Sequence, residues 1–97
     1  MAILHQGGNS YSFGTSGDTW PGDCYLERII VTQQGGTTPQ TISFRQGFED
    51  GTSGALVLNT SSVPDDTVIF DYGGHRMKNL RMTATPADSC VVVVQVA

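Results

Sequence analysis

The sequence predicts an all-β fold, an antiparallel β-sandwich of which the jelly roll is one form, with an extended N-terminal arm. Three observations carry this reading. Short β-branched and aromatic runs recur: CYLERIIVTQ at 24–33, TISFRQ at 41–46, TVIFDY at 67–72 and CVVVVQV at 90–96. Such residues suit a pleated, half-buried surface. Gly- and Pro-containing turns separate the runs, and no segment carries a 3.6-residue apolar period.

The chain has 97 residues, the length of one domain. It divides by composition into an arm, residues 1–22, and a sandwich, residues 23–97. The arm pairs an apolar patch, Ile3 and Leu4, with a Gly/Ser-rich stretch that holds Tyr11 and Phe13. Such a stretch buries too little by itself to offset chain entropy. Its apolar side chains suit docking onto something else, with a short strand near 11–13. Asp18 to Asp23 (DTWPGD) reads as a turn. Trp20, the single tryptophan, either caps the core or anchors a partner.

Along the sandwich, Leu26 and Ile30 share one face of the first long strand with Cys24. Ile29 and Val31 take the other face with Tyr25 and Glu27. A strand apolar on both faces is covered on both sides or lies at a subunit contact. Ile42 and Phe44 point inward from 41–46, and Leu56 and Leu58 from 55–59. The central feature is 63–85: TVIFDY, a tight turn at Gly73-Gly74, then a second strand with a bulge near Lys78-Asn79. The last strand sends Val92, Val94 and Val96 one way and Val91 and Val93 the other. Left as an open edge it would invite aggregation, so it belongs inside a sheet or across a subunit boundary.

Composition narrows function. Net charge is −4 and charged residues make up 14% of the chain, below the usual ~25%. Nucleic acid is therefore not expected as a partner, because phosphate binding needs a basic footprint. Arg76, Lys78 and Arg81 form the one local positive cluster. No segment approaches the ~18 apolar residues of a membrane span, and MAILHQGGNS lacks the pattern of a secretory leader. Cys24 and Cys90 have no metal-ligand spacing. Two buried free thiols are expected, although a disulfide stays geometrically open.

No catalytic constellation is expected. His75 lies four residues after Asp71, but no serine sits in a G-x-S-x-G elbow. Asp65-Asp66, Glu49-Asp50 and Asp18 with Asp23 offer oxygens to a hard cation, yet none matches a calcium loop. No metal and no cofactor are expected.

The order LERIIVT, ISFRQG, ALVLN, VIFDYGGHRMKNLRMT and a valine-rich last strand covers residues 24–97. It resembles the small β-sandwich capsid decoration (cement) proteins of tailed bacteriophages. The residues carrying the resemblance are Phe70, Asp71, Tyr72, Gly73, Gly74, Arg76, Lys78 and Asn79. The resemblance implies a non-enzymatic virion protein on the capsid surface, bound to the major capsid protein and forming a homotrimer. It gives the arm a purpose, with Ile3, Leu4, Tyr11, Phe13 and Trp20 as capsid or subunit contacts. Two alternatives fit the same fold: a tail, fibre or head–tail adaptor protein, and a carbohydrate-binding module that stacks sugars on Trp20, Tyr25 or Tyr72.

Overall fold

Eight strands build two antiparallel sheets in a computed structural model that describes residues 3–47, 54–87 and 89–97. They are β1 (Leu4–Gly7), β2 (Ser10–Phe13), β3 (Asp23–Gln33), β4 (Thr41–Gln46), β5 (Ala55–Ser61), β6 (Asp66–Lys78), β7 (Arg81–Met82) and β8 (Cys90–Val96). The larger sheet has the order β1-β2-β8-β3-β6 and the smaller the order β5-β4-β7. The chain is thus an all-β sandwich. The Glu49-Asp50 loop lies outside the described residues.

The pairings nest like a folded ribbon. The innermost hairpin is β4 with β5, then β3 with β6, and outermost β2 with β8. Between the last two shells, Thr19 bridges Arg81 of β7. Residues 17–20 run beside β7 as a strand fragment: Gly17 donates to the Met82 carbonyl, Met82 to the Asp18 carbonyl and Trp20 to the Leu80 carbonyl, at 2.8–3.0 Å. Rolling this ribbon so that successive shells alternate between sheets is the jelly-roll arrangement.

The segment read as an arm thus holds the β1–β2 hairpin, and β2 pairs with β8 in register from Ser10↔Gln95 to Phe13↔Val92. Its entry turn is fixed by Asp18, whose side chain is buried. The carboxylate accepts the N–H of Gly14 at 2.8 Å, the N–H of Thr15 at 3.1 Å and the Thr15 hydroxyl at 3.2 Å. Burial alone would push this carboxyl up. The donors outweigh it and hold the group below the ordinary 3.8.

The core lies between the sheets. Phe13, Cys24, Leu26, Ile29, Val31, Val92, Val94 and Val96 face Ile42, Phe44, Leu58 and Met82, with Met77 and Leu80 also buried. Phe13 and Phe44 meet across the gap with ring centroids 5.4 Å apart, a spacing that favours tilted aromatic pairs. The radius of gyration, 12.6 Å, matches the roughly 12.5 Å of a globule of this length. One end is sealed by polar groups. Buried Gln33 donates to the Thr38 carbonyl at 3.0 Å and accepts from Ser62, whose hydroxyl also accepts the Gln40 N–H at 2.7 Å.

The structure changes four of the expectations. Gly73-Gly74 is not a hairpin turn: β6 continues through it, paired with β3 on both sides of it. Leu26 pairs His75 and Arg28 pairs Asp71, so three residues of β6 (72–74) stand opposite Glu27 alone. The glycines, at φ 63° and 81°, absorb a bulge and not a reversal. At the same place β3 carries one residue more than β8 (Leu26↔Val96, Arg28↔Gln95), which flips its phase, so Cys24, Leu26, Ile29, Val31 and Gln33 all point inward while Ile30 points out. A second slip, between Phe44 and Arg45 against β5, turns Leu56 outward to 56% exposure and leaves Leu58 buried. The phase change near Asn79 is the corner where the chain leaves the larger sheet for the smaller, with Asn79 itself at φ 50°. There Asn79 and Gly22 clasp each other, N–H to carbonyl and N–H to side-chain oxygen. The valine run falls where it must, with β8 between β2 and β3 and Val92, Val94 and Val96 buried.

Two outcomes test this frame. A Cβ on Gly74 would sit 2.8 Å from the Glu27 carboxylate on a backbone at positive φ. Gly74→Ala should lose about 1–2 kcal/mol, chiefly from the left-handed backbone because the Glu27 tip can swing away. Urea unfolding with an unchanged slope would register it. Asp18 is ionised to lower pH folded than unfolded. Its contribution is therefore complete above about pH 4 and is lost as pH falls through the depressed folded value. Asp18→Asn should cost about 1–3 kcal/mol at pH 7 and flatten the acid limb of the stability profile.

Candidate interaction face

The inner face of the larger sheet is spent on the core, which leaves its outer face as the chain's broadest regular surface. The register fixes what that surface shows. Directly opposed residues of an antiparallel sheet share a face. Leu4 opposes Ser12, Ser12 opposes Val93, Val93 opposes Ile30, and Ile30 opposes Ile69. One row, Leu4–Ser12–Val93–Ile30–Ile69, therefore crosses all five strands over roughly 19 Å.

Beside this row on one side runs Val91–Thr32–Thr67, with the two threonine hydroxyls 3.1 Å apart. On the other side runs Ser10–Gln95–Arg28–Asp71. Arg28 donates to the Gln95 side-chain oxygen at 2.8 Å, and the Gln95 amide donates to the Ser10 hydroxyl at 3.0 Å. Among the described residues six large apolar side chains are exposed, and Leu4, Tyr25, Ile69 and Val91 all lie on this face. An apolar centre with a polar margin is the anatomy of a protein-docking surface.

The contact residues expected from sequence separate into three groups. Leu4 is on the face, 59% exposed. Phe13 is in the core and inaccessible to any partner of the folded chain. Ile3, Tyr11 and Trp20 are half-buried and pack on the core. Tyr11 is the hub of that last set, with His5 stacked on one side at 4.8 Å and Trp20 edge-on at 4.7 Å. His5 in turn bonds the Gly8 carbonyl through Nε2 at 2.7 Å. Trp20 thus serves as a cap on the sandwich.

Ile30, Ile69, Val91 and Val93 are the face residues that sequence reasoning did not single out. Their signal was present in the two-sided apolarity of 24–33 and in the outward valines of the last strand.

The remaining side chains considered for chemistry have structural duties. Asp71 accepts the Gly73 N–H at 3.0 Å across the bulge. Arg76 pairs with Asp23, Arg81 bonds the Thr19 hydroxyl at 3.0 Å, and Lys78 sits at the sheet-crossing corner. The positive residues are therefore split between the two sheets. Tyr72 donates to the Val57 carbonyl at 3.0 Å and ties the edge of one sheet to the other; burial pushes its phenol up. No group of three or more His, Cys, Asp or Glu side chains converges among the described residues.

Cys24 lies opposite Met77 near one end of β3, whereas Cys90 precedes the Val91↔Thr32 pair at the other. The gap is the length of the strand, on the order of 30 Å at about 3.3 Å per residue. A disulfide within the chain is thereby excluded, since bridged Cα atoms lie within ~7 Å, and both thiols are free and buried. Burial, assisted by the Asp23 charge, pushes Cys24 up to about 11. Burial also raises Cys90, opposed by the neighbouring Ser62 hydroxyl.

No family model, no curated protein and no solved structure matches this chain.

The thiols offer a direct check. At pH 8 a disulfide reagent should leave the native protein almost untouched, because thiolate and not thiol is the nucleophile. It should titrate both groups once urea unfolds the chain. Fast reaction without denaturant would contradict the burial of the two ends of β3.

Proposed function

We propose that the chain is a non-enzymatic capsid decoration protein of a tailed bacteriophage, a homo-oligomer that binds the major capsid protein and stabilises the shell. The single observation that carries this reading is the apolar row across the outer face of the larger sheet. A five-stranded surface with an apolar centre, bordered by a polar margin in which Arg28 stands opposite Asp71, suits permanent contact with another protein. The jelly roll supports it by analogy alone, since viral capsid domains use this architecture and so do lectins. The contact surface is the face and not a free arm, because β2 is built into the sheet and Phe13 into the core. A tail, fibre or head–tail adaptor protein would use the same face and differ in copy number per particle.

A second reading draws on Tyr25. It is 54% exposed on the outer face, on the same strand as Arg28, whose hydrogen-bonded row continues through Gln95 to Ser10. An aromatic plane beside planar polar groups suits a sugar ring, whereas Trp20 and Tyr72 are half-buried in structural contacts.

Cosedimentation with undecorated phage capsid shells tests the first reading. Leu4→Lys and Val91→Lys, both at exposed positions, should change stability by less than about 0.5 kcal/mol and weaken shell binding about tenfold or more. Binding that survives both substitutions but fails in Tyr25→Ala, together with capture on a glycan array, would favour the sugar reading.

A further inference from the structure

Every sheet of a sandwich has edges, and natural proteins shorten, charge, bulge or cover them. Among the described residues the other edges are short: β1 has four residues, β5 seven, and β7, with two, is flanked by the fragment at 17–20. β6 is the exception. It is a thirteen-residue edge strand, paired on one side with β3 alone. Its C-terminal end is covered where Gly47 donates to the Lys78 carbonyl and Lys78 donates to the Gln46 side chain. Its middle is interrupted by the bulge at 72–74. Between the strand's start and that bulge runs DTVIFD, with no lysine, arginine or proline.

Two carboxylates bound this stretch. Asp66 accepts the N–H of Thr67 at 2.8 Å, and Asp71 accepts the N–H of Gly73 at 3.0 Å. Backbone groups of alternate strand residues point to the same side. Thr67, which gives its N–H to a side chain, therefore shares its direction with Ile69 and Asp71, away from β3. Ile69 stands at the centre of this stretch, 59% exposed, and it is also the last residue of the apolar row.

We propose that two copies of this chain join through β6, antiparallel about a two-fold axis at Ile69. The segment is self-complementary in that register. Ile69 faces its own copy, Val68 faces Phe70, Thr67 faces Asp71 and Asp66 faces Tyr72. No like charges are opposed, whereas a register shifted to set Asp71 against its own copy would oppose them. The pairing fuses two five-stranded sheets into one of ten. It also joins the two outer-face rows end to end through the Ile69 pair, so that one continuous apolar row runs along the dimer. Such an isologous contact closes on itself and leaves no second β6 edge exposed. It is two-fold, and so differs from the homotrimer that the family resemblance implies. It does not depend on what the outer face binds.

Sedimentation equilibrium of the purified full chain over a wide concentration range tests the pairing without any capsid. The expected mass is twice 10.3 kDa. Ile69→Lys sets two ammonium groups against each other and should weaken the dimer by more than about tenfold. Leu4→Lys, at the far end of the same row, should leave the mass doubled even while it weakens shell binding. Should Ile69→Lys fail to fold, amide exchange of the unaltered protein decides: the Ile69 and Asp71 amides slow as concentration rises if β6 pairs. A wild-type monomer at every concentration, a threefold mass, or edge amides indifferent to concentration would overturn the proposal.

Discussion

The pairing of β3 with β8 on one side and β6 on the other is the constraint on which the structure depends. β3, eleven residues long, is bonded along both edges, through ten aligned pairs with β6 and six with β8. It contributes Cys24, Leu26, Ile29 and Val31 to the core. Its pairing also hides the valine run of β8, which would otherwise be an adhesive edge. Burying five consecutive side-chain positions inward along β3 requires one change of phase. The slip between Leu26 and Arg28 supplies it, where β3 carries one residue more than β8 (Leu26↔Val96, Arg28↔Gln95), and β6 follows the distortion through the glycines at 73 and 74.

The consequences pass outward from this point. With the phase corrected, the inner face of the larger sheet is uniformly apolar and packs on Ile42, Phe44, Leu58 and Met82. The outer face is then left with Ile30, Val93 and Ile69 in one line. The outer apolar row is thus the complement of the core register: the same slip that places Ile29 inside places Ile30 outside. The nested ribbon makes most of these contacts distant in sequence. Folding must therefore close long loops before the sheets repay them, which predicts slow kinetics for a domain this small.

Much of the fold was legible from period-two alternation where nothing interrupted it. Ile42 with Phe44, and Val92 with Val94 and Val96, read correctly because those stretches keep one phase. Leu56 and Ile30 read wrongly because each lies beyond a slip, at Phe44/Arg45 in one case and Leu26/Arg28 in the other. A slip is decided by the partner strand, so nothing local to the residue announces it. Gly73-Gly74 failed for a related reason. A hairpin and a bulge both ask for positive φ, and only the strand alongside tells them apart. The interaction face was half visible. Apolar residues on both sides of 24–33 and the outward valines suggested a covered surface, and Leu4 was named. Ile69 escaped because its segment was read for the turn that followed it. The arm's aromatics, expected to make capsid or subunit contacts, pack on the chain's own sandwich.

The most direct test of the central proposal, that the outer face of the larger sheet is the working surface, is hydroxyl-radical footprinting of the protein free and mixed with undecorated phage capsid particles, the partner proposed for it. The account predicts that Leu4, Ile30, Val91 and Val93 lose labelling on the particle while Leu56 and Val63, exposed elsewhere, keep theirs. Protection of Leu56 and Val63 with the outer-face row still labelled would contradict it.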